Sequence, residues 1–355
     1  MNCSYESIMI VTFVPEVPNT ARQHLQKLLG ISDLPDPRWR CHGSSLVTVR
    51  LEAVDKVVLE HVGNLPGVRR VFCLSNKERL YKKKVGSVRQ PVVIGDHAVV
   101  GGDCPTVIAG PCSVESREQV MDIAEMVAEA GAAALRGGCF KPRSSPYEFA
   151  GLGELGLEYM AAAREKTGLP VVTEALAVSQ VETVASWADV IQIGSRNMSN
   201  FPLLFEAGAN SLGKPVLLKR GLAASVSEFL EAAEYVLLGR LSTDNLQPGV
   251  ILCERGIRTF APAQRFTFDV GVIPVLQQQT HLPVIGDPSH PAGERSLVPA
   301  LGRAAIAAGA DGLLVEVHRD PDHAWCDGDQ SLDAASFKTL MKDIKRYSAT
   351  EVTAG

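Results

Sequence analysis

A chain of 355 residues with 46% hydrophobic and 21% charged content is an ordinary globular protein, long enough for one large core and a smaller companion. Its net charge of -5 argues against general affinity for nucleic acid or an anionic membrane, so any anion site must be concentrated in one place. The eight cysteines lack a Cys-x-x-Cys pair and fit reduced thiols, and the apolar run from Ile8 to Val14 stops at Pro15, too short for a signal peptide or spanning helix; both features predict a cytoplasmic protein.

In chain order, residues 1 to 77 contain SIMIVTFV (strand), NTARQHLQKLLG (helix), RWRCHGS and LVTVRLEA (strands), DKVVLEHVGNLPG (helix) and VRRVFCLS (strand). This βαββαβ order predicts a small ferredoxin-like α+β domain. The basic stretch at 78–90, within KERLYKKKVGSVRQP, reads as a linker with a solvated charged face. PVVIGDHAVVGG then reads as a hairpin covering the bottom of the larger, C-terminal domain.

From Pro105 onward a unit of apolar strand, turn and amphipathic helix recurs eight times. The strands are TVIAGPC, AALRGG, LPVVTEA, DVIQIGS, PVLLKRG, VILCERG, LPVIGDP and GLLVEVH. Most helices close on Gly or a polar residue, and the fourth, NFPLLFEAG, is the shortest. Strands that are apolar throughout and joined by crossover helices pair in parallel. Eight such units over roughly 240 residues match a closed (β/α)8 TIM barrel, assigned to residues 91–355 with its hairpin.

In a barrel every strand's C-terminal end opens on one mouth. That brings together Cys112, Arg136, Glu174, Arg196, Lys219, Arg220, Glu254, Arg255, Asp287, His290, Glu316 and His318. Cations lie on strands two, four, five and six, and the loop FKPRSSP adds Lys141, Arg143 and Ser144. So many like charges repel unless anions enter. Arginine forks and lysine ammonium groups suit phosphate and carboxylate, and their number exceeds the need of one monophosphate, which implies two anionic substrates. On the other side stand Cys112, His290 and Glu316, with Asp327 following in WCDGDQ. Such a set would accept Mn, Fe, Co, Zn or Cu; on spacing alone Cys112 is equally a small core residue and His290 a helix cap. His318 and His323 read as supporting or surface residues.

Taken together, AGPCSVES, LRGGCFKPRSSPYEFAGLGELGLEYM, VVTEA, IQIGSRNMSNF, KPVLLKRG, ILCERGIRTF, GDPSH and VEVH resemble 3-deoxy-D-arabino-heptulosonate 7-phosphate synthase over essentially all of residues 105–347. Residues 1 to about 77 resemble the regulatory domain of one subgroup of that family. The resemblance implies condensation of phosphoenolpyruvate with erythrose 4-phosphate on a divalent metal, releasing phosphate, as the first step of the shikimate pathway of aromatic amino acid biosynthesis. It implies Cys112, His290, Glu316 and Asp327 as metal ligands. Arg136, Lys141, Arg196, Lys219 and Arg255 would hold phosphoenolpyruvate, with a backbone donor from Ser195. Lys141, Pro142, Arg143 and Ser144 would form the erythrose 4-phosphate loop, and Glu174 and Asp287 would partner water and the cations. Lys141, Glu174, Arg136 and His290 are the expected catalytic groups, with Lys141 supplying a proton and Glu174 acting on water.

Cys112 in AGPCS marks the metal-dependent form, since branches without metal carry Asn there. The nearest rival, 3-deoxy-8-phosphooctulonate synthase, uses arabinose 5-phosphate and resembles KANRSS where this chain has the shorter KPRSS. A reading from another class is an inactive barrel serving as regulatory partner of chorismate mutase. SRNMSNF departs from most relatives, which have Ala at 195 and Gln at 199. Cys139 and Cys326 are unusual neighbours of the site, each either inert or able to form a disulfide with Cys112 that ejects metal. The N-terminal region is expected to sense tyrosine or phenylalanine by closing over the barrel mouth, or only to assist assembly of a tetramer. No nucleic-acid or membrane partner is expected.

Overall fold

The computed structural model describes residues 7–14, 19–31, 35–52, 54–75, 77–84 and 89–351, with side chains described to 346. The extreme N-terminus and residues 85–88 of the expected linker lie outside the described residues.

The N-terminal segment forms β1 (Ser7–Phe13), α1 (Asn19–Leu28), β2 (Trp39–His42), β3 (Leu46–Leu51), α2 (Lys56–Gly63) and β4 (Val68–Ser75). The strands pair in the order β2-β3-β1-β4, with Ile10 opposite both Thr48 and Phe72. Alternation sends Met9, Val11, Val47 and Val49 to one face, where they meet Leu25 of α1 and Val62 of α2. Asp55 starts α2 by accepting from the Val58 amide at 2.7 Å. β5 (Val92–Ile94) and β6 (Ala98–Val100) are the expected antiparallel hairpin.

Eight parallel strands come next: β7 (Thr106–Gly110), β8 (Ala134–Arg136), β9 (Val171–Glu174), β10 (Val190–Ile193), β11 (Val216–Lys219), β12 (Val250–Glu254), β13 (Val284–Gly286) and β14 (Gly312–Glu316). They close into a barrel through β14 and β7, where Val315 faces Ala109. The crossover helices are α3 (Arg117–Ala130), α4 (Glu154–Thr167), α5 (Val181–Trp187), α6 (Phe201–Ala209), α7 (Val226–Ser242), α8 (Val272–Gln279), α9 (Ser289–Ala292), α10 (Val298–Ala307) and α11 (Ala334–Glu351). Their starts follow capping chemistry: Ser116 accepts from the Gln119 amide, and Ser225 and Glu228 form a capping box.

Hairpin residues Val92, Ile94 and Val100 pack with Ile108, Val172 and Ile251 inside the barrel, so the hairpin stoppers its lower end. At the other end a side chain at Gly110 would put its Cβ 2.0 Å from the Arg136 carbonyl oxygen, so only glycine lets β7 approach β8 where Arg136 enters the mouth.

The second face of the N-terminal sheet packs on the barrel's flank. Ile10 and Leu46 meet Leu238 of α7, with Phe205 of α6 packed against them, and His42 stacks on Phe205 with ring centroids 5.8 Å apart. The Leu80 and Tyr81 amides donate to Glu234 of α7 at 2.9 and 3.2 Å. Closure over the mouth, expected from sequence, is therefore not the arrangement here: apolar side chains on the sheet's second face are satisfied by α6 and α7. Among the described residues no helix is long and apolar enough to cross a membrane.

Candidate active site at the barrel mouth

The strand ends surround a cavity of about 330 Å³. Arg136, Lys141, Arg143, Arg196, Lys219 and Arg255 line it, with Pro142, Ser144, Ser195 and Glu174. His290 and Asp327 line the opposite side, and Cys112, Asp287 and Glu316 stand buried behind. All fifteen residues expected from sequence thus converge on one place.

The cationic wall is only partly satisfied from within. Arg136, at the end of β8, donates to Glu316 and to the Pro111 carbonyl at 2.9 Å each, yet its buried Nε has no partner. Arg255, just past β12, lies 4.5 Å from the Phe266 ring centroid, and its Nε and Nη1 are buried without partners. Burial pushes the Arg255 pKa down. Orphaned guanidinium donors in a cavity are what bound anionic oxygens would satisfy. Lys219 meets Asp287 at 2.5 Å. Arg143 donates through Nε to the Phe149 carbonyl at 2.7 Å, which pins the KPRSS loop.

The donor side begins where β7 ends. Lys141 Nζ donates to the Cys112 carbonyl at 3.0 Å and to its Sγ at 3.1 Å; Cys112 Sγ is 3.2 Å from Asp327 Oδ2. His290 rides on the short helix α9, with Nδ1 2.7 Å from Asp287 and Nε2 3.7 Å from Glu316. Ligand atoms of His290, Glu316 and Asp327 lie within 4.8 Å of one another, as do those of Cys112, Cys326 and Asp327. A sulfur, an imidazole nitrogen and carboxylate oxygens converging in this way fit a divalent transition ion.

The charges support ionised carboxylates. Burial works against the Asp287 charge, but His290 and Lys219 hold its pKa well below the usual range. Burial likewise opposes ionisation of Glu316, and His290 and Arg136 bring it below normal. Asp327 is held low by His290 and Arg265 against the effect of burial. The hydrogen bond to Cys326 and burial push the Cys112 thiol up, while the same bond brings Cys326 down. Lys141 keeps its proton: burial opposes its charge, but the negative potential of Cys112 and Cys326 holds its pKa above the ordinary lysine value.

Some residues grouped at the mouth have other work. Arg220 turns away to pair with Glu254 and Asp269 at 2.9 Å each, and Glu254 also accepts from the Gly256 amide at 2.8 Å. The Glu254–Arg220 pair braces β11 and β12; the cavity receives Arg255. Cys139 packs in the apolar core beside Gly156, and burial pushes its thiol up to about 12. His318 is buried 3.5 Å from Glu115, and His323 is exposed beside Asp320.

Sequence reasoning missed Arg265, which donates to Asp327 at 3.2 Å and Gln330 at 2.7 Å, and Gln330 itself, which donates to Glu316 at 2.6 Å. Arg265 lies in a loop and Gln330 ends a single 3-10 turn, Gly328–Gln330, neither with a periodic signal. Gln192 donates to Glu174 at 3.2 Å, and the clue was available: it is the one polar side chain in the apolar run VIQI of β10.

Residues 82–350 match the description of the DAHP synthetase I family. A phospho-2-dehydro-3-deoxyheptonate aldolase of Thermotoga maritima is 42% identical over 335 residues, covering 93% of this chain and 96% of the relative. A crystal structure of phospho-2-dehydro-3-deoxyheptonate aldolase (DAHP synthase) from the same organism superposes with a TM-score of 0.72 at 40% identity, covering 97% of this chain and 98% of the other. A 2-dehydro-3-deoxyphosphooctonate aldolase of Desulfosudis oleivorans is 31% identical over 280 residues, covering 73% of this chain and 97% of the relative. The match to the heptonate enzyme extends through the N-terminal sheet as well as the barrel, and on these grounds the chain belongs to the DAHP synthetase I family.

Proposed function

We propose that this chain condenses phosphoenolpyruvate with erythrose 4-phosphate to 3-deoxy-D-arabino-heptulosonate 7-phosphate and inorganic phosphate, opening the shikimate pathway. The observation that carries the reading is the pairing, across one cavity, of unpartnered buried guanidinium donors on Arg136 and Arg255 with a sulfur, nitrogen and carboxylate donor set.

Phosphoenolpyruvate binds through Arg136, Lys141, Arg196, Lys219 and Arg255, with the Ser195 backbone amide as a further donor. The erythrose 4-phosphate chain enters over Pro142, its phosphate at Arg143 and Ser144. Cys112, His290, Glu316 and Asp327 would hold a divalent ion, which would supply Lewis acidity toward the aldehyde. Lys141, whose Nζ lies 3.1 Å from Cys112 Sγ, stands beside that group and gives its proton to the aldehyde oxygen as the third carbon of phosphoenolpyruvate attacks. Glu174, steadied by Gln192, orients the water that adds to the second carbon. Lys219 and Arg255 then hold the charge of the departing phosphate. Asp287 and Glu316 keep Lys219, His290 and Arg136 in register.

The decisive assay is turnover of the purified, chelated chain with phosphoenolpyruvate and either erythrose 4-phosphate or arabinose 5-phosphate, before and after adding back Mn, Fe, Co or Zn. Metal-dependent phosphate release with the four-carbon sugar alone is expected. Preference for arabinose 5-phosphate would favour the octulosonate reading, and no turnover with either would favour an inactive partner of chorismate mutase.

The same proposal assigns regulation to residues 1–77 and catalysis to 91–355, joined by 78–90, in a cytoplasmic homotetramer. Tyrosine or phenylalanine is the effector class. The broad apolar seat of the N-terminal sheet on α6 and α7 supports a mechanical link to the loops carrying Arg196 and Lys219. Inhibition by both amino acids that survives deletion of residues 1–80 would refute it, and sedimentation would test the tetramer.

A further inference from the structure

We infer that Cys326 is a fifth protein donor of the metal centre, so that the ion sits between two thiolates and the site prefers zinc-like, thiophilic ions over manganese. The inference rests on the metal site proposed above.

The local chain is built to place this side chain. In WCDGDQ, Asp327 takes φ 51 and ψ 36, one of three non-glycine residues with positive φ among those described. Aspartate is one of the few non-glycine residues that adopt this left-handed backbone. The turn is tight around it, since a Cβ on Gly328 would fall 2.2 Å from the Pro321 carbonyl oxygen. The consequence is that adjacent residues, which in a strand would point to opposite sides, both reach the same spot.

There Cys326 Sγ lies 2.8 Å from Cys112 Sγ. The two sulfurs and an Asp327 carboxylate oxygen all lie within 4.8 Å, and Asp327 belongs equally to the group formed with His290 and Glu316. Cys326 also borders the cavity beside Asp327 and His290. A packing cysteine looks different here: Cys139 and Cys253 sit in apolar clusters of the barrel. Cys326 instead faces a thiol and a carboxylate. Thiolates select zinc, iron and copper over the harder manganese, and a second sulfur strengthens that choice. Zinc in catalytic sites can expand to five-coordinate, so Cys326 would hold the fifth position until the aldehyde oxygen takes it.

The test uses the full-length reduced chain, metal-stripped and reloaded with cobalt, zinc or manganese. Zinc X-ray absorption on the unmodified enzyme is expected to count two sulfurs, a result that needs no variant. With cobalt, Cys326→Ser is expected to halve the near-ultraviolet thiolate charge-transfer absorption, as Cys112→Ser should. Zinc affinity of Cys326→Ser should fall by more than the roughly ten- to hundredfold that loss of a supporting partner costs, with a smaller change for manganese. One sulfur per zinc, or a Cys326→Ser enzyme with unchanged cobalt absorption and zinc affinity, would overturn the inference and leave the four-ligand site standing. A wild-type chain that binds none of these ions would overturn both.

Discussion

Lys219 and Asp287 meet at 2.5 Å with both side chains buried beneath the cavity, and the same carboxylate lies 2.7 Å from His290 Nδ1. One anion therefore steadies together the cation proposed to hold phosphate and the imidazole proposed to hold the metal. Removing it leaves buried positive charge without compensation, and breaking a pair of this kind costs about 3–5 kcal/mol. Asp287→Ala should lose stability of that size in urea unfolding and raise the phosphoenolpyruvate KM. A loss below about 1 kcal/mol, as for an exposed pair, would contradict the role given to it.

Arg143 stands at the loop assigned to the sugar phosphate, its Nε spent on the Phe149 carbonyl and its Nη1 3.8 Å from a Glu148 carboxylate oxygen, with Arg143 and Glu148 both lining the cavity. A charge-assisted hydrogen bond contributes about 1.5–3 kcal/mol, or roughly a ten- to hundredfold change. Arg143→Ala should raise the erythrose 4-phosphate KM on that scale with a smaller effect on phosphoenolpyruvate. Equal effects on both substrates would place the sugar phosphate elsewhere.

Gly194 follows β10 and crowds Glu174: a Cβ there would lie 2.1 Å from Glu174 Oε1. Gly194→Ala should push this carboxylate from its place without unfolding the barrel. A displacement near 1 Å costs on the order of a hundredfold in rate, so kcat should fall by about that factor, and Glu174→Gln should fall similarly. If the glutamine enzyme turns over normally, Glu174 does not act on water.

His42 gives the junction between sheet and barrel a pH signature. Its Nε2 lies 3.0 Å from Thr48 Oγ1, its ring stacks on Phe205, and burial pushes its pKa down to about 4. The unfolded chain binds this proton near pH 6.5 and the folded chain only near 4. Its contribution is therefore fully present above pH 6.5 and is lost as pH falls toward 4. With partial solvent screening the loss is on the order of 2 kcal/mol. His42→Gln should lose that much less stability than wild type between about pH 7 and pH 4 in urea unfolding. Parallel losses in the two proteins would remove His42 as the cause.

The barrel was legible because its strands are apolar throughout and its helices periodic, and both patterns survive without knowledge of tertiary contacts. The mouth followed from topology alone, since strand ends must converge. What sequence could not show is direction. Arg220 and Arg255 occupy like positions after neighbouring strands, yet Arg220 turns to Glu254 and Asp269 while Arg255 enters the cavity. Arg265 sits in an irregular loop and Gln330 in a single 3-10 turn, and only the fold determines the path of either. Helix α9 escaped notice because GDPSHPAG carries turn residues and no helical period. Seating of the N-terminal sheet was equally hidden: its second face carries Ile8, Ile10, Leu46, Phe72 and Leu74, and only the partner surface on α6 and α7 explains them.

Barrel closure joins β7 to β14, so the first strand of the repeat to leave the ribosome must wait for the last. Cys112 lies beside that join on the early side, with Glu316 and Asp327 on the late side. Until residue 327 has been made, an ion has at most part of its cage. On the proposed ligand set an ion would be fully held only by a finished chain, and it would then act as a rivet across the join, resisting the opening by which such a cylinder would begin to come apart.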